Sequence, residues 1–238
     1  MNKIRLFVDH TLGEAQSVPL NKDQAHYIFS VMRKSVGETI LIFDGNNGEW
    51  EASIEEISKK SGVLFCIKQT KPQIMPPDLW LFFCPLKKVR TDFIVEKATE
   101  LGVARIIPVQ TEHTNVDRIK LSRLSAHAIE AAEQCGGTYI PKIEELQKIN
   151  EVLEHFPPDR RLLFCDEKLK ASELNLENLK KGKWAVLIGP EGGFSELERN
   201  YIKGLKFTFS ISLGPRILRA DTAAVTAISL WQNYLGDW

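Results

Sequence analysis

Apolar residues in the first third of the chain recur at period two in short runs broken by turn residues. Residues 4–8 (IRLFV), 38–43 (ETILIF), 49–57 (EWEASIEEI) and 63–70 (VLFCIKQT) are therefore expected as strands. The stretch 44–48 (DGNNG) supplies a hairpin turn between the second and third. A helix is expected from about Lys22 to Lys34, capped by Asn21. This pattern makes a small, mostly β, barrel-like domain. Residues 71–78 (KPQIMPPD) carry three prolines in eight positions and fit neither a helix interior nor a central strand. The domain boundary is placed there, giving 1–72 and 73–238.

Beyond it the pattern changes. Residues 79–86 (LWLFFCPL) form a continuous apolar run, as a strand buried on both faces of a parallel sheet requires. Strands at 104–109, 161–165, 184–189 and 207–214 alternate with helices at 91–102, at 121–136, from Ser195, and from Asp221 or Thr222 to about Leu235. Thr91 is the expected cap of the first of these helices. Strands alternating with helices imply an α/β layer architecture with right-handed crossovers.

Composition narrows the function classes. With 43% hydrophobic and 26% charged residues, the 238-residue chain reads as a soluble globular protein of one or two domains. Lys plus Arg equals Asp plus Glu at 31 each, so any nucleic-acid contact must come from a local basic patch. No stretch approaches the roughly 20 apolar residues that a membrane span needs, and the N-terminus lacks an apolar signal core. A cytoplasmic protein is expected. Cys66, Cys84, Cys135 and Cys165 form no C-x-x-C pair, and the histidines no ligand spacing, so no metal is expected.

Two segments concentrate the candidate chemistry. LIGPEGGFSELE (187–198) passes from an apolar strand through Gly-Pro-Glu-Gly-Gly into a helix start with capping-box spacing, Ser195 to Glu198. SLGPRILRADTAA (212–224) repeats the design: strand, Gly-Pro, then a helix. Gly189 and Gly214 are expected at positive φ. Either loop taken alone also reads as a tight connection with no ligand. Ligands in open α/β sheets collect at the carboxyl ends of strands, so the two loops could share one pocket. Neither is G-x-G-x-x-G or G-x-x-x-x-G-K-[ST], and Glu191 opposes phosphate, which leaves a phosphoryl-transfer enzyme unsupported. A ligand with a neutral heterocycle and a positive centre, such as S-adenosylmethionine, suits such loops better.

These paired segments resemble the motifs of the RsmE family within the SPOUT class of RNA methyltransferases. Residues 26–50, 93–114 (FIVEKATELGVARIIPVQTEHT) and 131–143 (AAEQCGGTYIPKI) match further segments of that family in the same order. The family usually has Arg where Gly137 stands and Glu-Thr where this chain reads Asp221-Thr222. The resemblance implies a PUA-like β-barrel RNA-binding domain, then a SPOUT α/β domain with a deep trefoil knot that acts as a homodimer. It implies S-adenosylmethionine as cofactor and N3 of a uridine in 16S ribosomal RNA of the small subunit as target. Carried over, Leu187, Gly189, Glu191 and Gly192 would line one side of the cofactor. Leu213, Gly214, Ile217, Leu218 and Arg219 would line the other. Arg219 and Asp221 become the catalytic candidates, Arg219 for stabilising the uracil anion or positioning the base. Arg5, His26, Arg33, Lys34, Lys87, Lys88, Arg90 and Lys97 become candidates for RNA contact. The tail 228–238 (ISLWQNYLGDW) suits a dimer interface or a core-facing terminal helix. A catalytically inactive RNA-binding protein of the same fold is the alternative.

Overall fold

The computed structural model describes residues 4–58, 60–169 and 176–238. Contacts divide the chain into two compact units, Met1–Met75 with Ala132–Ile140, and Pro76–Ala131 with Pro141–Trp238.

The first unit holds a five-stranded sheet of β1 (Arg5–Phe7), β2 (Ser17–Leu20), β3 (Thr39–Phe43), β4 (Glu49–Ile57) and β5 (Gly62–Lys71), in the order β1-β3-β4-β5-β2. β1 runs parallel to β3 and the other pairings are antiparallel. Alternate residues of β3, Ile40 and Ile42, join Ala52, Ile54, Leu64 and Cys66 in its core. β2 has no strand signature because Pro19 interrupts it. It lies at the sheet edge, paired only with β5, where a residue without an N–H is tolerated. Helix α1 (Lys22–Ala25) opens with a complete capping box, Asn21 with Gln24. The expected helix to Lys34 is instead α1 continued by a π-helix, His26–Val31, in which Met32 N donates to Tyr27 O. It stops because Arg33 turns to φ +55°.

Residues 132–140 belong to this unit through bonds a linear boundary cannot foresee. Arg5 Nη1 donates to the Ala132 and Glu133 carbonyls, and Arg5 Nη2 donates to Gly137 O at 2.9 Å. Phe7 N donates to Glu133 Oε1 and Lys71 Nζ to Gly136 O.

In the second unit all strand pairings are parallel. The strands are β6 (Leu79–Phe83), β7 (Arg105–Gln110), β8 (Lys142–Ile143), β9 (Gln147–Lys148), β10 (Arg161–Cys165), β11 (Trp184–Ile188) and β12 (Thr208–Ile211). Their order is β12-β10-β11-β6-β7-β8, with β9 also on β7. β11 lies between two neighbours, and all five of its residues are buried, as an interior parallel strand demands. The helices are α2 (Lys88–Glu100), α3 (Leu121–Cys135, whose last residues enter the first unit), α4 (Ile149–Glu154), α5 (Glu196–Gly204) and α6 (Ala220–Leu235). Phe82, Phe164 and Leu187 pack with Leu153 of α4 and Ile202 of α5, while α6 packs against β11 and α2. α2 begins three residues before Thr91. That side chain is no cap; it lies within the first turn and hydrogen-bonds both backbone groups of Leu86. Among the described residues no helix is long and apolar enough to cross a membrane.

Candidate functional site

β10 and β12 are neighbours, and β10 also pairs β11, so the chain leaves three adjacent parallel strands on one side of the sheet. The segments after Cys165, after Ile188 and after Ile211, with Arg90 from the first turn of α2, line a single cavity of about 740 Å³. That volume lies within the usual range for small-molecule sites. Ser195 and Glu198 form the expected capping box, so α5 starts directly behind the first loop. Arg219 is the N-cap residue of α6 at the end of the second.

Gly189, Glu191, Leu213, Gly214, Ile217, Leu218 and Arg219 line this cavity. Leu187 does not; its side chain is buried in the core, because alternate residues of a strand face opposite sides. Gly192 also lies off the wall and backs onto His113. The two glycines expected at positive φ differ. Gly214 has φ +110°. Gly189 is not in the left-handed region; a Cβ there would stand 2.5 Å from the Phe194 ring.

Ion pairs organise the walls. Arg90 pairs with Glu191 of the first loop, and its Nε lies 3.7 Å from Asp221 Oδ2 at the start of α6. No ion pair or hydrogen bond engages the Arg219 side chain among the described residues, and it is exposed. Sequence reasoning missed the third wall: Cys165, Asp166, Glu167 and Leu169. Asp166 is 2% exposed and pairs with Arg199 Nη1 at 2.8 Å, and Glu167 accepts from Arg199 Nη2 at 2.8 Å. Its signal was present as acids directly after an apolar strand, RLLFCDE, at the carboxyl end where ligands gather. Burial pushes the Cys165 thiol up to about 12, so it is no nucleophile at neutral pH.

The candidate RNA contacts are scattered over both units. Arg5 is occupied: besides its three carbonyls it pairs with Glu49 at 2.6 Å and lies over the Phe43 ring. These partners give it a structural role in the first unit. His26 and Arg33 are exposed on the π-helix and its end, and Lys34 pairs with Glu38. Lys87 and Lys88 are exposed where α2 begins, and Lys97 pairs with Glu100. In the tail, Trp231 is fully buried in its own chain while Trp238 is 63% exposed. Trp231 is thus a core residue.

Residues 74–232 match the RNA methyltransferase domain model, and residues 20–64 match the RNA methyltransferase PUA domain model. Ribosomal RNA small subunit methyltransferase E of Rickettsia conorii is 31% identical over 229 residues, covering 94% of this chain and 93% of that protein. The chain belongs to this family. The protein of that name from Buchnera aphidicola (subsp. Acyrthosiphon pisum) is 30% identical over 98% of this chain and 94% of its own length. Two solved structures align over 100% of both chains. A putative methyltransferase from Legionella pneumophila in complex with the bound cofactor SAM has a TM-score of 0.89 at 28% identity. A ribosomal RNA small subunit methyltransferase E from Neisseria gonorrhoeae bound to S-adenosyl methionine has a TM-score of 0.88 at 27% identity. The α/β fold with a parallel sheet and a PUA domain is thereby that of the family.

Proposed function

We propose that the chain transfers the methyl group of S-adenosylmethionine to N3 of a uridine in the 16S ribosomal RNA of the small subunit. The observation that carries this reading is the cavity. Glycine-bearing loops at the ends of neighbouring parallel strands enclose it, in a chain that aligns end to end with relatives bound to that cofactor.

The residues fit such a ligand. Leu169, Ile188, Leu213 and Leu218 offer apolar wall to a heterocycle, and the exposed carboxylates of Glu167 and Glu191, each held by an arginine, face positive centres. When bound, S-adenosylmethionine supplies a methyl group already activated by its sulfonium. The chain's task is to hold the loops in line, exclude water and manage the proton on N3. Among the described residues nothing pairs with the Arg219 guanidinium at the cavity, and it is assigned to the uracil carbonyls, where charge develops as the proton leaves. Arg90 ties Glu191 to Asp221 and sets the distance between the first loop and α6. His26, Arg33, Lys34, Lys87, Lys88 and Lys97 are assigned to RNA phosphates.

The same reading includes a trefoil knot in the second unit, cytoplasmic action and a homodimer. Ile217, 86% exposed on the second loop, and Trp238 are apolar surfaces that a second copy would cover. Calorimetric titration with S-adenosylmethionine tests the cavity. Primer extension on 16S RNA from cells lacking the protein tests the activity, because N3-methyluridine stops reverse transcriptase. A stop that persists in those cells refutes the assignment, and binding without methyl transfer would mark an inactive RNA-binding relative.

A further inference from the structure

The turn after β7, residues 111–114 (TEHT), lines no part of the cavity, yet it is fastened to the first loop behind it. His113 Nδ1 lies 3.2 Å from Gly192 O and 3.1 Å from Gly193 O. Carbonyl oxygens only accept, so Nδ1 carries a proton, which in the uncharged form of the ring is the Nδ1–H tautomer. A Cβ on Gly192 would stand 3.1 Å from the His113 Cβ, so ring and loop backbone are in direct contact.

A second bond lies beside it. Glu112 N donates to Glu198 Oε1 at 2.8 Å, while Glu198 Oε2 accepts from Ser195 N at 3.1 Å. The acid that caps α5 thus also secures the 111–114 turn. That turn is itself rigid: Thr111 N donates to Thr114 Oγ1 at 2.9 Å, and the Thr111 side chain is buried beside Cys84.

We propose that His113 is a positioning residue for the cofactor loop, fixing from behind the two peptide groups that follow Gly192 and Gly193. Two consecutive glycines have more conformational freedom to lose than any other pair. A loop already ordered before the ligand arrives spares the ligand that cost, so the brace appears as affinity. Glu191 and Gly193 then reach the cavity wall in one conformation. The inference rests on the cavity being the S-adenosylmethionine site.

The test compares His113→Ala and His113→Asn with the wild type as full-length protein. His113→Ala is expected to weaken S-adenosylmethionine binding about tenfold in calorimetry. The cofactor KM should rise while kcat at saturating cofactor changes little, because the interaction is uniform across the reaction. Asn carries an N–H close to the position of Nδ1, so His113→Asn should restore affinity to within about twofold. In the free protein, amides of residues 190–195 should exchange faster in His113→Ala than in the wild type. Imidazole nitrogen NMR of the wild type should report the Nδ1–H tautomer, a readout that needs neither a variant nor the cofactor. Wild-type affinity in His113→Ala, an Asn variant as weak as Ala, or an Nε2–H tautomer would each overturn the proposal. Should the wild type itself not bind S-adenosylmethionine, the reading of the cavity fails. The exchange and tautomer measurements would still judge the brace.

Discussion

At Gly189 any Cβ meets the ring of Phe194, which is buried and packs edge-on against Phe164 at 5.1 Å. At Gly214 nothing stands within 4 Å, and the constraint is φ +110° alone. Gly189→Val should therefore overpack the core, lowering stability by about 1–3 kcal/mol as well as abolishing cofactor binding. Gly214→Val should lose binding because the loop, with open space around it, shifts out of that conformation, at little cost to global stability. Thermal melts with calorimetry separate the two, and equal Tm losses would refute the distinction. Arg219→Ala should lower kcat about 100-fold while cofactor affinity stays within a few-fold, since its donors act as charge develops. Wild-type turnover in that variant would remove Arg219 from the mechanism. These residues were legible because Gly-Pro after an apolar strand is a local signal. The Arg90 pairs were not legible, because 101 positions separate Arg90 from its partner Glu191.

At the scale of elements, what could be read in advance had a long period or a cap. β11 and its neighbours announced themselves as apolar runs, and Asn21 and Ser195 as helix starts. The two-residue strands β8 and β9 and the six-residue α4 show no period, so nothing in their sequence distinguished them from a loop. The third wall was hidden for another reason: acids after a strand look like surface until Arg199 of α5 is seen to pair with both and Asp166 to be buried. Thiol chemistry follows the same elements. Cys84, in the stretch after β6, and Cys165, ending β10, are buried, with burial pushing their thiols up to about 11 and about 12. Cys135, at the end of α3, is exposed. Iodoacetamide on the native protein at pH 8 should modify Cys135 first, leaving Cys84 and Cys165 intact until unfolding. Mass spectrometry of the peptides decides it, and early alkylation of Cys165 would contradict this burial.

Across the whole molecule, the proline-rich stretch at 71–78 spans the point, Met75 to Pro76, where the contacts pass from the first unit to the second. It could not signal that residues 132–140 return to the first unit. That return is fastened by Arg5, which also pairs with buried Glu49. Burial alone would raise the Glu49 carboxyl. The hydrogen bonds from Arg5 and Thr70 and the charges of Arg5 and Lys71 outweigh it and hold the group below its ordinary value. A carboxylate lowered on folding stabilises the fold above its unfolded pKa of about 4.3, and that contribution is lost as pH falls through the folded value. Glu49→Gln should thus cost stability at pH 7 and flatten the fall in stability between about pH 5 and pH 3, measured by denaturant titration. Arg5→Ala should cost more, about 3 kcal/mol, because it takes the nearest cation from buried Glu49, leaving only Lys71 at 3.6 Å and Thr70, and frees three carbonyls. A cut at 72/73 removes the same donors at once. Fragment 73–238 retains every residue that lines the cavity, so its affinity for S-adenosylmethionine should stay within a few-fold of the full chain. It strips 132–140 of Arg5, Phe7 and Lys71, so limited proteolysis should open that segment in the fragment and in full-length Arg5→Ala, but not in the wild type. Loss of His26, Arg33 and Lys34 should also flatten the salt dependence of RNA binding by the fragment, but not by Arg5→Ala. If Arg5→Ala flattens that slope as much as the cut does, Arg5 meets RNA after all, and its role is more than structural.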